Sequence, residues 1–283
     1  MAGPALGILA GGGRLPGQVA AAAHAAGRPV FIVGLEGFAE PPVLAPWPHE
    51  MIRMLAVGQI LTALRAHGCQ DLVLIGPVRR PSLLDLRPDA EGARMLARIG
   101  RAAFAGDDGL LAAVVKIFNE EGFRVVGAHE ILNEALGPVG LLSQAAPDAV
   151  AMGDIRRGIA VTRALGTVDV GQGCVVQQGV VLAVEAAEGT DAMLGRSAPL
   201  ARPGRGGVLV KLVKPGQDRR TDLPTIGPDT IRAAAAAGLR GVAFEAGGTI
   251  LAEREAAIAA ADSAGLFLLG LDQDALSDRG ETT

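Results

Sequence analysis

Apolar positions in the first half of the chain come in short runs, separated by longer stretches in which alanine and polar residues mix. Residues 5–10 (Ala-Leu-Gly-Ile-Leu-Ala) form one such run, closed by Gly11, Gly12 and Gly13, and Pro16 then opens an alanine-rich segment that ends at Gly27. The order reads as strand, glycine turn and helix, since proline suits the first helical turn and glycine the position just past the last. The alternation continues with a strand over 29–33, a helix over about 59–66, a strand over 71–75, helices around 90–104 and 108–121, and a strand over 124–128. Apolar strands alternating with helices require a parallel sheet covered on both faces. Residues 1–133 therefore predict a Rossmann-like α/β domain.

Residues 134–147 hold Gly137, Pro138, Gly140, Ser143 and Pro147 without periodicity, the pattern of an interdomain linker. A second domain over 148–275 follows, and 276–283 reads as a disordered tail. The second domain opens with a helix over about 148–165. Residues 168–186 are rich in valine and glycine with short polar interruptions, and predict two adjacent strands joined near Gln178-Gly179. Helix starts are expected at Thr190 and Thr225 and a strand over 208–213; the set closes with a helix to 237, a strand over 241–245, a helix over 254–264 and a strand over 266–271. The result is a mixed α/β domain whose sheet order the pattern does not reveal.

Composition narrows the classes. Apolar residues make up 49% and charged residues 20% of 283 positions, an ordinary folded globule. The mean hydropathy of +0.35 comes from alanine, because no stretch approaches the roughly 18–20 apolar residues of a membrane span. The N-terminus lacks a basic segment ahead of its apolar run, so no signal peptide is read and a cytoplasmic location is expected. Cys69 and Cys174 lie far apart without a ligand pattern, which fits a reducing compartment. A net charge of -4, with no basic tract interleaved with aromatics, argues against nucleic acid as a partner. Of 26 basic residues only Lys116, Lys211 and Lys214 are lysine.

Several segments could carry chemistry. Gly11, Gly12 and Gly13 precede a helix, where free N–H groups and the helix dipole favour a phosphate. A tight strand-to-helix turn explains the same glycines, and their spacing matches neither a dinucleotide fingerprint nor a P-loop. Asp107 or Asp108 is a helix cap or a magnesium-type carboxylate. His129 follows a predicted strand of the parallel sheet, where ligands bind, with a packing role as the alternative. The segment 211–227 gathers Lys211, Lys214, Gln217, Asp218, Arg219, Arg220, Asp222 and Thr225. A solvated loop is the plain reading, but compact ammonium groups suit phosphate oxygens, and Asp222 among cations stays ionised as a metal ligand must. Strand parity puts 211 and 214 on opposite faces unless the strand ends between them. Upstream, Glu185, Glu188 and Asp191 place carboxylates between a strand and a helix, as caps or as the acidic half of a metal site.

The segments Gly-Gly-Gly-Arg-Leu-Pro16, Gly76-Pro-Val-Arg-Arg-Pro81, Gly106-Asp-Asp108, Gly127-Ala-His-Glu130, Asp169-Val-Gly-Gln172, Glu185 to Asp191, Lys211 to Gln217 and Asp222-Leu-Pro-Thr-Ile-Gly227 together resemble the LpxI-type UDP-2,3-diacylglucosamine pyrophosphatases of lipid A biosynthesis. Glu245-Ala-Gly247, Ala261-Asp262 and Gly265-Leu-Phe267 extend the resemblance over nearly the whole chain, with departures between Trp47 and Val57 and after Asp274. It implies two α/β domains with the nucleotide-sugar lipid held between them. It also implies Mg2+-dependent hydrolysis, with Mn2+ as a substitute, of UDP-2,3-diacylglucosamine to UMP and lipid X in a Gram-negative bacterium. Asp222 is the residue the resemblance makes catalytically required. On the residue reading Lys211 and Lys214 join it in catalysis. Gly11, Gly12, Gly13, Arg79, His129, Gln217, Arg220 and Thr225 are assigned to substrate, and Asp222, Glu188 and Asp191 to metal. Peripheral contact with the inner membrane and a homo-oligomer are compatible with this reading. A nucleotide-sugar binding protein without turnover is the rival; an NAD(P) oxidoreductase is disfavoured by the glycine spacing.

Overall fold

The computed structural model describes residues 3–78, 88–100, 107–132, 135–221 and 223–277. The chain divides into two compact units, 1–133 with the short segment 218–222, and 134–217 with 223–283.

The first unit runs β1 (Ala5–Ala10), α1 (Leu15–Ala25), β2 (Val30–Leu35), α2 (Pro41–Leu44), β3 (His49–Ile52), α3 (Val57–Ala66), β4 (Cys69–Ile75), α4 (Ala90–Ile99), α5 (Asp107–Glu120), β5 (Arg124–Val125) and α6 (Ala128–Ile131). Its sheet has the order β3-β2-β1-β4-β5 and every pairing is parallel. This is the Rossmann-like arrangement that the alternating pattern predicts, with β1 at the point where strand order reverses. α2 and β3 lie where the sequence carries no clear pattern. α3 shows why the helices lie on the sheet: Val57, Ile60, Leu61 and Leu64 repeat at helical spacing, are all buried, and join Phe31, Val33 and Leu72 in one core. Asp89 ties two helices together, accepting from Gly92 N at 2.7 Å as the cap of α4 and from Gly58 N of α3 at 2.9 Å. The predicted last strand is shorter than expected. Beyond Val125 the chain turns at Gly127, whose N–H donates to Glu130 Oε1 at 2.7 Å and closes the single turn of α6.

The second unit continues with β6 (Gly140–Leu141), α7 (Ala149–Thr167), β7 (Gly173–Gln177), β8 (Val180–Val184), α8 (Thr190–Ser197), β9 (Val208–Lys211), β10 (Thr225–Ile226), α9 (Pro228–Ala236), β11 (Gly241–Glu245), β12 (Ile250–Leu251), α10 (Arg254–Ala264), β13 (Phe267–Leu271) and α11 (Gln273–Ser277). The main sheet has the order β6-β13-β11-β9-β7-β8, in which β13, β11 and β9 pair parallel while the pairs β6–β13, β9–β7 and β7–β8 are antiparallel. Residues alternate between two cores as a pleat demands. Val208 and Val210, Cys174 and Val176, and Ala243 pack with α7; Leu209, Val175, Val242 and Phe244 pack with α8, α9 and α10. Burial on both faces is why these strands read as unbroken apolar runs. Gln178 (φ 52°) and Gly179 (φ 75°) form the two-residue turn between β7 and β8, and Asp154 of α7 accepts from both amides, at 3.0 and 2.6 Å. Thr225 departs from expectation. It lies on β10, which pairs with β12, and α9 starts only at Pro228.

Candidate functional site

The polar residues of the second unit converge around the carboxyl end of β9. Lys211 is the last residue of that strand and shares the face of Leu209, which turns toward α8. It is buried, and Nζ donates to Thr190 Oγ1 at 2.5 Å; Glu185 Oε1 lies 4.0 Å from Nζ. Thr190 Oγ1 in turn donates to Glu185 Oε1 at 2.8 Å. The other oxygen, Glu185 Oε2, is buried and has no hydrogen-bond partner among the described residues. Two glycines make room for this glutamate: a Cβ on Gly171 would stand 2.0 Å from its carbonyl oxygen, and one on Gly173 would stand 2.6 Å from Oε2.

Because β9 ends at Lys211, strand parity no longer governs Lys214. The segment Lys214-Pro215-Gly216-Gln217 is a tight turn with Gly216 at φ +81° and Gln217 N bonded to Lys214 O at 3.2 Å, the arrangement that proline then glycine selects. Lys214 is buried and its Nζ meets Asp169 Oδ1 at 2.6 Å. Gln217 accepts from Lys214 N at 3.1 Å and reaches Gln172 Oε1 at 3.4 Å, while Glu245, at the end of β11, accepts from Val213 N at 3.1 Å. Two buried ammonium groups, each with a carboxylate within 4.0 Å, thus lie near the carboxyl end of β9.

In the first unit the glycine turn has another use. Gly11 N donates to Ile75 O, Gly12 N to Pro77 O and Gly13 N to Glu40 Oε1, at 2.9, 2.9 and 3.0 Å. All three amides are thus engaged by protein oxygens, one of them a carboxylate. The glycines allow the segments that follow β1 and β4 to lie backbone against backbone: a Cβ on Gly11 would lie 2.4 Å from Gly76 O, and one on Gly76 would lie 2.4 Å from Gly12 O. The structure brings a packing reason for them and no free anion cradle at these amides.

Family models for the LpxI N-terminal domain and the LpxI C-terminal domain match residues 5–135 and 138–269. The chain belongs to the LpxI family. UDP-2,3-diacylglucosamine pyrophosphatase LpxI of Caulobacter vibrioides is 47% identical over 273 residues, covering 94% of this chain and 97% of that relative.

Within this LpxI chain the other residues singled out from sequence fall as follows. Asp222 and Arg79 lie outside the described residues. Glu188 is held by Arg196, whose Nε and Nη2 reach Oε1 at 2.9 and 2.6 Å and keep its carboxyl below the ordinary range. Asp191 is exposed in the first turn of α8. Arg220 forks onto Asp218, at 2.9 and 2.6 Å; the guanidinium holds that carboxyl below its ordinary value against the opposing effect of burial. Thr225 Oγ1 donates to Leu223 O at 3.4 Å. His129 sits on α6 with its ring over Gly127, and its buried Nδ1 has no partner among the described residues. Lys211, Lys214 and Gln217 are therefore the predicted residues that the second unit brings into polar contacts near the carboxyl end of β9, in two separate groups. Glu185 and Thr190 belong to the group of Lys211, and Asp169 and Gln172 to that of Lys214 and Gln217. All stand in the LpxI-like motifs, yet none carries a local signal beyond a polar residue at a strand end or helix start. Asp169 adds one backbone signature, a non-glycine φ of +53°.

Proposed function

We propose that this chain hydrolyses the pyrophosphate of UDP-2,3-diacylglucosamine to UMP and lipid X, with Mg2+ or Mn2+ as cofactor. The observation that carries the reading is the pair of buried lysines at the carboxyl end of β9, each with a carboxylate partner, in a chain whose LpxI relative bears that activity in its name. Lys211 and Lys214 bind the non-bridging oxygens of the diphosphate and offset charge developing on the transferred phosphoryl group and on the leaving phosphate. Gln217 holds the turn that presents Lys214. Asp222 orients the attacking water or binds metal.

No group of three or more His, Cys, Asp or Glu side chains among the described residues is arranged to hold an ion. Glu185 Oε2 is the buried, unpartnered oxygen that suits a hard cation, and Asp191 is free to turn toward one; ligation by Glu188 requires its pair with Arg196 to part. When bound, such an ion supplies charge neutralisation at the diphosphate. Among the described residues no helix is long and apolar enough to cross a membrane, and both cysteines are free. A cytoplasmic enzyme that meets its acylated substrate at the inner face of the membrane fits these features.

The test is release of UMP when purified protein meets UDP-2,3-diacylglucosamine, with and without chelator. The expected result is turnover that stops in EDTA and returns with Mg2+ or Mn2+. Tight binding without UMP would make the chain a nucleotide-sugar binding protein, and full turnover in excess EDTA would remove the metal.

A further inference from the structure

We infer that Glu185 and Thr190 are positioning residues for the Lys211 ammonium, a role that rests on the proposed use of Lys211 against the substrate's phosphate oxygens. The direction of the hydrogen bonds carries the argument. Thr190 has one hydroxyl proton, and it goes to Glu185 Oε1 at 2.8 Å, so the same oxygen is left to accept from Lys211 Nζ at 2.5 Å. The chain of donors therefore runs one way, from ammonium to hydroxyl to carboxylate. Glu185 Oε1 also stands 4.0 Å from Nζ, so the carboxylate lies beside the ammonium as well as at the end of the donor chain.

An ammonium carries three N–H groups, and Thr190 Oγ1 is its hydrogen-bond acceptor among the described residues. Anchoring one N–H fixes the directions in which the others point. Each member of the network is pinned by a different element: Lys211 by the end of β9, Thr190 by the first turn of α8, and Glu185 by its amide, which donates to Gly173 O of β7 at 2.8 Å. Glu185 also packs directly on Gly171 and Gly173, where any side chain would overlap it. A lysine on a flexible four-carbon stem thereby becomes a fixed point charge.

With only three lysines in the chain, the network can be read directly by labelling lysine with 15N. In the intact protein Lys211 should give a slowly exchanging ammonium signal, assigned by its loss in Lys211→Arg. Thr190→Val removes the hydroxyl at nearly constant shape. It should abolish or shift that signal and lower kcat by ~10²-fold with KM nearly unchanged, the effect of a misplaced catalytic charge. Glu185→Gln should act in the same direction, and Thr190→Ser should restore both signal and kcat; melting curves report whether each variant is folded. Unchanged kcat in folded Thr190→Val, an unmoved lysine signal, or a Thr190→Ser as impaired as the valine variant would each overturn the inference. If intact protein releases no UMP the proposed activity fails, and the lysine signals still decide whether the network exists.

Discussion

Asp71 of β4 is 2% exposed, and a carboxylate is stable there because Arg28 reaches it at 2.6 Å and Arg124 at 2.7 and 2.8 Å. Burial by itself pushes this carboxyl up, but the hydrogen bonds and charges of Arg124 and Arg28 outweigh it, and its pKa falls below the ordinary 3.8. A folded-state pKa below the unfolded one adds stability that is complete above pH ~4 and disappears as pH falls through the folded value. Asp71→Asn should therefore cost about 2 kcal/mol at neutral pH, less than a fully enclosed pair because Arg124 is 71% exposed. Urea midpoints of the two proteins should converge as pH drops below ~4; a constant gap would show that Asp71 acts through shape and not through charge. At Asp222 the expectation is opposite in kind. Asp222→Ala should lower kcat by ~10²-fold or more while melting temperature and substrate binding persist, as for a group that acts mainly at the barrier. Loss of binding or fold would make that residue structural. Residue types were readable here, but partners were not. Nothing in the order of residues says that Arg196 claims Glu188 while Glu185, three positions earlier, turns inward to Lys211.

At the level of elements, strands β1, β11 and helix α10 lie where the apolar pattern puts them, and the β7–β8 turn falls on Gln178-Gly179 as expected, because each of these signals is local. Thr225 misleads for a physical reason. Proline at 224 with threonine after it resembles a helix start, but Ile250 N bonds to Pro224 O and Ala252 N to Ile226 O, a strand pairing contributed by residues far along the chain. The glycine turn after β1 is ambiguous in sequence between anion cradle and packing device, and the close approach of Gly76 supplies the packing reason. Gly11→Ala should cost about 3 kcal/mol or more, since the added methyl meets backbone that cannot rotate away. Thermal melting checks this, and a drop of less than a degree would mean that β1 and β4 have room to separate.

On the scale of the whole molecule, an LpxI-type hydrolase faces a choice between two phosphorus atoms that lead to the same products. The family resemblance places attack at the phosphorus attached to the sugar, with UMP leaving. On the proposed function, Lys211 and Lys214 are expected to serve the uridine-side phosphate and Asp222 the sugar side. Hydrolysis in 18O-water should put the label into the phosphate of lipid X and leave UMP unlabelled by mass spectrometry. Label in UMP would reverse that assignment and move the lysines from the leaving group to the attacked phosphorus.

The sequence alone determined the α/β class of both halves, most element positions and the family, and it singled out the lysine-rich segment as the candidate for phosphate chemistry. Each of these rests on periodicity, turn residues or a linear order of motifs, which survive without knowledge of the fold. Tertiary structure decided the rest. The order β6-β13-β11-β9-β7-β8 depends on pairings between distant segments. The engagement of the Gly11 to Gly13 amides depends on Ile75, Pro77 and Glu40. The donor chain from Lys211 through Thr190 to Glu185 joins the ends of three elements. A hydrogen bond is directional over about 3 Å, so its partners are fixed only when the sheet brings strand ends together.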